Sequence, residues 1–137
     1  MSVIDGETER LARLVVDAGF HLHRDLGPGL LESVYESLLA AKLEKEGIKV
    51  DRQKPINILY EGRHFKASFV ADLLLEDRLL VELKSVERFS PVHVKQVLTY
   101  VRLMNLPLGL LMNFGTATFR EGVRRVANDR VLRGFVS

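Results

Sequence analysis

Hydrophobic positions recur at helical spacing through the first third of the chain. Residues 7–24 predict a helix whose apolar face contains Leu11, Leu14, Val15, Ala18 and Leu22. Residues 25–29 include Gly-Pro-Gly, which cannot continue a helix and predicts a break. A second helix is predicted over residues 30–46, with Gly47 as its stop. Its apolar residues are Leu31, Val34, Tyr35, Leu38, Leu39 and Leu43.

The pattern then changes to that of β-strands. Residues 50–60 predict a strand, in which Pro55 indicates an irregularity or a sheet edge. Glu61-Gly62 is a hairpin signal that favours positive φ at the glycine. The return strand is predicted over residues 63–75, with a bend near residues 67–68.

A third strand is predicted over residues 79–85. Ser90-Pro91 then has the composition of a helix start, with serine as N-cap and proline in the first turn. That helix is predicted to end near residues 105–107, and its packing residues are Val94, Val97, Leu98 and Val101. The wholly apolar residues 108–114 predict a strand buried on both faces, and residues 119–127 a further strand or short helix.

The predicted order of elements is α-α-β-β-β-α-β, an antiparallel hairpin unit followed by a helical crossover to a buried strand. A mixed sheet flanked by helices, of the α/β (α+β) class, is the architecture this order favours. The chain has 137 residues and 47% hydrophobic content, so we expect residues 1–137 to form a single domain.

Charged residues interrupt the apolar pattern of the two central strands. If residues 76–78 form the loop, Asp72 lies opposite Glu82, with Cβ atoms roughly 5 Å apart. Lys84 lies on the same face as Glu82, two residues further on. Two apposed carboxylates repel each other unless a proton or a cation lies between them. The alternative is that both are solvent-facing edge charges, with Lys84 as a surface ion-pair partner.

Composition narrows the class of protein. The chain has no cysteine, which excludes disulfides, thiolate zinc sites and cysteine nucleophiles. Its acidic N-terminus lacks the apolar core of a signal peptide. No apolar run approaches the ~18 residues of a membrane helix. We therefore expect a cytoplasmic protein with no membrane contact.

Charge is unevenly distributed along the chain. Residues 1–90 contain 13 Lys/Arg and 16 Asp/Glu, whereas residues 91–137 contain 7 and 2. The basic end is mostly arginine and could follow a phosphate backbone or form an ordinary solvated surface. Five of its arginines lie near the C-terminus, namely Arg120, Arg124, Arg125, Arg130 and Arg133.

The charged residues of the central strands match a known motif. Asp72, followed by Glu82-Leu-Lys84, resembles the signature of the PD-(D/E)xK nuclease superfamily, with Ala71 where the motif name has proline. The resemblance implies the restriction-endonuclease-like fold.

Two further motifs narrow the resemblance. Gly29-Leu-Leu-Glu32-Ser-Val-Tyr35 is similar to the motif of the small prokaryotic GxxExxY proteins of that superfamily. Gln96-Val-Leu-Thr-Tyr100 is similar to the Gln-x-x-x-Tyr element of the RecB-like branch. The resemblance covers roughly residues 10–127.

The resemblance implies hydrolysis of phosphodiester bonds in DNA with Mg²⁺ or Mn²⁺, ions that suit carboxylate ligands. Asp72 and Glu82 would hold the metal with the Leu83 backbone carbonyl, and Glu32 would be a further ligand or bind through a metal water. Lys84 would orient or deprotonate the attacking water, or stabilise the developing negative charge.

Gln96 and Tyr100 share a helix face, and the resemblance implies that they bind substrate or position Lys84. His93 shares their stripe and is either a substrate contact or a surface histidine. Tyr35 has a structural alternative as a core residue. Glu32 has one as a favourable charge at a helix N-terminus. The loop of residues 27–29 is a turn or a phosphate cradle. His21, His23 and His64 are predicted to be structural or exposed.

Two other functional classes stay open. One is a nucleic-acid-binding accessory module of a repair or defence complex, with a protein partner that supplies specificity. The other is a structural domain that forms a homodimer and keeps only residual motifs. DNA cleavage with divalent metal separates the nuclease from both.

Overall fold

A mixed sheet and three helices make up the part of the chain that the computed structural model describes, residues 4–130. The helices are α1 (Gly6–Leu26), α2 (Glu32–Lys45) and α3 (Pro91–Met104). The strands are β1 (Val50–Tyr60), β2 (Arg63–Leu75), β3 (Leu79–Lys84), β4 (Leu108–Asn113) and β5 (Val123–Ala127), with one 3₁₀ turn (Arg120–Gly122) before β5.

The five strands lie in the order β1-β2-β3-β4-β5. Strands β3 and β4 are parallel and are joined through α3, whereas the other neighbouring pairs are antiparallel. The sheet thus contains the predicted hairpin unit and helical crossover. Residues 119–127, predicted to form a strand or a short helix, provide both the 3₁₀ turn and the fifth strand.

Local sequence explains where the helices begin. The Asp5 carboxylate accepts a hydrogen bond from the Thr8 N–H at 2.9 Å, which satisfies one free amide of the first turn of α1. At α3, Ser90 is the N-cap, and the Nδ1 atom of His93 accepts from the Ser90 N–H at 3.4 Å. Gly47, just after α2, has φ 80°, as a left-handed helix terminus requires.

Two apolar clusters cover the two faces of the sheet. The first contains the buried residues of α1 and α2 together with Leu73, Val81 and Leu110. The second contains Val97 and Val101 of α3 together with Leu80 and Leu111. Alternate residues of β3 and β4 face opposite clusters, which is why β3 has no polar residue before Glu82 and β4 has none before Asn113.

Helix α2 buries a different set of residues from the one its apolar pattern suggested. Leu31, Val34 and Leu38 are exposed, whereas Glu36 is buried beside Tyr35 and Leu39. The buried stripe contains Tyr35, Glu36, Leu39, Ala40 and Leu43. A carboxylate therefore lies inside the protein where the sequence pattern gave no reason to expect one.

No helix within residues 4–130 combines the length and the apolar character that crossing a membrane demands.

Candidate active site

Asp72 and Glu82 lie side by side where the β2–β3 ladder ends. The last paired residues are Leu73 and Val81. One step further, the Asp72 N–H donates to Glu82 Oε2 at 2.7 Å, and the Leu83 N–H donates to Asp72 Oδ2 at 2.9 Å. Each carboxylate thus accepts a hydrogen bond from a backbone N–H of the other strand, as a backbone carbonyl of its own strand would in a regular ladder. The juxtaposition expected from the loop length is present.

Burial makes this pair electrostatically costly. Glu82 is 5% exposed, and burial, followed by the Asp72 charge, raises its pKa to about 8. Burial is also the main cause that raises the pKa of Asp72. The alternative that both are solvent-facing edge charges is therefore wrong for Glu82.

Lys84 supplies the positive charge next to this pair. Burial raises the pKa values of Glu82, Asp72 and Glu32, and the charge of Lys84 partly opposes this rise; burial and then the Lys84 charge lower the pKa of His93. None of the ion pairs within residues 4–130 includes Lys84. The described structure thus gives no support to the alternative of a surface ion pair.

Gln53 and Glu36 also belong to the site, and the sequence reasoning missed both. The Gln53 side-chain amide donates to Asp72 Oδ1 at 3.1 Å and to Glu36 Oε1 at 2.5 Å. Arg52 donates to Glu36 Oε2 at 3.1 Å and so compensates the buried charge. The only indication in the sequence that Glu36 belongs to the site was its spacing: it lies four residues after Glu32 and so on the same side of the helix.

Glu32 reaches the site from the other face of the sheet. It is the first residue of α2, and its side chain is exposed. Partial burial raises its pKa, and the charges of Lys84 and Asp72 also act on it. Glu32 is thus close to the carboxylate pair but shares no hydrogen bond with it in the described residues.

The α3 face forms the other wall of the site. Gln96 Nε2 donates to Tyr100 Oη at 3.0 Å. Burial and then the charge of Glu82 raise the pKa of Tyr100. The Tyr100 ring stacks on Phe69 of β2, with ring centroids 3.9 Å apart. The face that carries Gln96 and Tyr100 therefore borders the carboxylate pair.

Tyr35 has a structural position. Its ring is fully buried and stacks on Phe114, with centroids 4.4 Å apart. Its hydroxyl donates to the Gly27 carbonyl. The tyrosine thereby fixes the Gly-Pro-Gly turn to the second helix, in agreement with the core alternative.

The remaining predicted residues lie apart from the carboxylate pair. His23 is buried and its Nε2 bonds to the Thr116 carbonyl at 2.9 Å, whereas His64 is exposed. Arg125 pairs with Glu9 at 2.6 Å, and the Arg124 guanidinium lies 4.7 Å from the Phe89 ring centroid. His21 Nδ1 lies 2.8 Å from the Asp17 carbonyl. Arg133 lies outside the described residues.

A family model of the PD-(D/E)XK nuclease superfamily matches residues 9–126, well over half of the chain. The chain belongs to the PD-(D/E)XK nuclease superfamily. Its mixed sheet flanked by helices has the restriction-endonuclease-like fold, as predicted. A search of the curated proteins and of the solved structures gives no match. The narrower resemblance to the GxxExxY proteins is compatible with this result and stays a prediction.

Members of this superfamily generally use Mg²⁺, so the donor set must be tested against that ion. Asp72 and Glu82 provide paired oxygen donors; burial, and for Glu82 next the charge of Asp72, raises their pKa values, and a cation bound there would favour the ionised carboxylates. Within residues 4–130, no group of three or more His, Asp or Glu side chains is arranged to hold a metal ion. The two strand carboxylates fit a hard cation that keeps several waters, and Glu32 as a further ligand stays a prediction.

Proposed function

We propose that this PD-(D/E)XK protein is a metal-dependent nuclease that hydrolyses phosphodiester bonds in DNA. The observation that carries the proposal is the pair formed by the buried Glu82 and the half-buried Asp72, each bonded to the opposite strand, with Lys84 beside it. A buried pair of like charges without a compensating role costs stability. A divalent cation explains why the fold contains this pair.

In this proposal, Asp72 and Glu82, with the Leu83 backbone carbonyl, hold Mg²⁺ or Mn²⁺, and Glu32 contributes directly or through a water. When bound, the cation polarises the scissile phosphate and lowers the pKa of its water. Gln53 holds Asp72 in place through one amide hydrogen. Lys84 orients or deprotonates the attacking water, or stabilises the developing charge on phosphate.

Gln96 and Tyr100 are the substrate-contacting residues of the proposal. They lie on the helix wall that faces the carboxylate pair, and their hydrogen bond fixes the orientation of both side chains. The Gln96 amide retains a second N–H that can reach a phosphate oxygen or a base edge. Changes here are expected to affect KM more than the chemical step.

The test is cleavage of DNA by the purified full chain with Mg²⁺ or Mn²⁺. Single-stranded, duplex and branched DNA are the substrates, and EDTA is the blank. We expect cleavage that Asp72→Asn, Glu82→Gln or Lys84→Met abolishes and that Glu46→Gln, an exposed carboxylate at the end of α2, leaves intact. Intact DNA in every arm, or equal activity in the Asp72→Asn variant, would overturn the proposal. Binding without turnover would favour the accessory module.

A further inference from the structure

The β1–β2 hairpin extends well beyond the rest of the sheet. Strand β2 is 13 residues long, but within the described chain it pairs with β3 only from Leu73 to Leu75. The distal part, residues 57–69, is called the arm here. Its β2 side is exposed throughout residues 63–68. Phe69 and Ile58 fix the base of the arm to the apolar cluster of α3, whereas its exposed residues 63–68 belong to neither apolar cluster.

One face of the arm is continuous with the wall of the active site. Ile56 pairs with Phe69, and Ile58 pairs with Phe65. Ile56 and Ile58 are alternate residues of β1 and share a face, so Phe65, opposite Ile58, lies on the same side as Phe69 although β2 is irregular at Ala67 between them. Phe69 in turn stacks on Tyr100. The aromatic surface thus runs from the carboxylate pair outward along the arm.

The charge of the arm is complementary to phosphate. Residues 57–69 contain Arg63, His64 and Lys66 and one carboxylate, Glu61. The Arg63 guanidinium lies 5.6 Å from the Phe65 ring centroid, and Phe65 is 45% exposed. An exposed aromatic ring with an arginine beside it is the combination that binds unpaired bases and their phosphates.

We infer that the arm binds a single-stranded segment of the DNA substrate that leads into the active site. This inference rests on the proposed function. A base stacks on Phe65, and Arg63 contacts the adjoining phosphate. Phe65 lies seven residues from Asp72 along β2, roughly 20 Å at the rise of an extended strand. A duplex keeps its bases stacked on one another and offers Phe65 no free face, so unpaired DNA is the preferred form.

The test is a binding measurement without turnover. Fluorescence anisotropy of a labelled single-stranded oligonucleotide is recorded in EDTA with the full chain and with Arg63→Ala/Phe65→Ala. Arg13→Ala/Phe20→Ala is the matched control, because both residues are exposed on α1 and Phe20, at 49%, is as exposed as Phe65. Arg13 and Phe20 line an apolar groove with Leu110 and Val123, on the sheet face opposite α3.

We expect the arm variant to bind about tenfold more weakly and the control variant to bind like the unaltered protein. Arg63→Ala alone should reduce the slope of log K against log salt by about 0.7, the value for one phosphate contact on a single strand. Equal affinity of the arm variant, an equal loss in the control, or preference for blunt duplex would overturn the inference. Cleavage with Mn²⁺ is assayed separately, so failure of the nuclease proposal leaves the binding result readable.

Discussion

Asp72 donates its backbone N–H to the Glu82 carboxylate at 2.7 Å, and its own carboxylate accepts from the residue after Glu82. The two side chains therefore replace the backbone ladder at the point where β2 and β3 separate. Their positions depend on backbone atoms rather than on long flexible side chains. In the proposed function, this arrangement preorganises the pair for a cation.

The pH dependence of stability should reveal the buried carboxylate. Burial raises the pKa of Glu82 from 4.5 to about 8 in the folded protein. Between these values the folded state holds a proton that the unfolded state has lost, so stability falls as pH rises through this window. The loss should be on the order of a few kcal/mol. Urea unfolding in EDTA at several pH values measures it.

The matched variant for this prediction is Glu82→Gln, which should remove most of the decrease. His93 has a lowered pKa and acts in the opposite direction. The difference between the two proteins, rather than the slope of either one, therefore reports Glu82. If the curves of unfolding free energy against pH were parallel for the unaltered protein and Glu82→Gln, Glu82 would ionise at its ordinary pKa.

Divalent metal should stabilise the folded protein at neutral pH. A cation held by Asp72 and Glu82 offsets their repulsion and displaces the proton on Glu82. At a metal concentration of 100 times Kd, the gain is about 2.7 kcal/mol. Thermal unfolding with increasing Mn²⁺ measures this effect. The gain should disappear in Asp72→Asn and persist in Glu46→Gln, and an equal gain in both variants would place the ion elsewhere.

Gln53→Gly should weaken metal binding because it removes the amide that holds Asp72. Gln53 has φ 47°, so glycine keeps the backbone conformation without strain while deleting the side chain. Loss of such a supporting contact typically costs 10- to 100-fold in metal affinity. Calorimetric titration with Mn²⁺ measures the change.

Ala67→Gly is the matched control for this substitution. Ala67 has φ 48° on the neighbouring strand, outside the carboxylate pair. Both changes should relieve about 1 kcal/mol of backbone strain, but only Gln53→Gly should alter Mn²⁺ affinity. Unchanged affinity in Gln53→Gly would mean that the amide does not position Asp72.

Tyr35→Phe should lower stability rather than alter chemistry. The substitution keeps the stack on Phe114 but leaves the Gly27 carbonyl without its donor. Loss of such a part-buried hydrogen bond costs about 0.5–1.5 kcal/mol. Urea unfolding measures the loss, and cleavage per folded molecule should stay unchanged. Full stability with lost cleavage would instead assign Tyr35 a role in the reaction.

The sequence by itself determined the elements as far as β4 and one register. The bounds of β1 and β2 agree with the predicted residues 50–60 and 63–75, because turn residues mark strand ends locally. The three-residue loop between β2 and β3 fixed the pairing, and with it the apposition of Asp72 and Glu82. The superfamily and its fold were implied by the resemblance of the Asp72 and Glu82-Leu-Lys84 motif to a known signature, and the family model confirms both.

Only the tertiary structure decided which face of α2 is buried. Leu31 and Leu38 are as apolar as Leu39, yet they are exposed, because the burial of a helix face depends on the elements packed against it. Glu36 became part of the site for the same reason. Its partner Gln53 adopts a left-handed conformation inside a strand, which side-chain pattern cannot show, since φ is set there by the opposing strand and by the contacts of the amide.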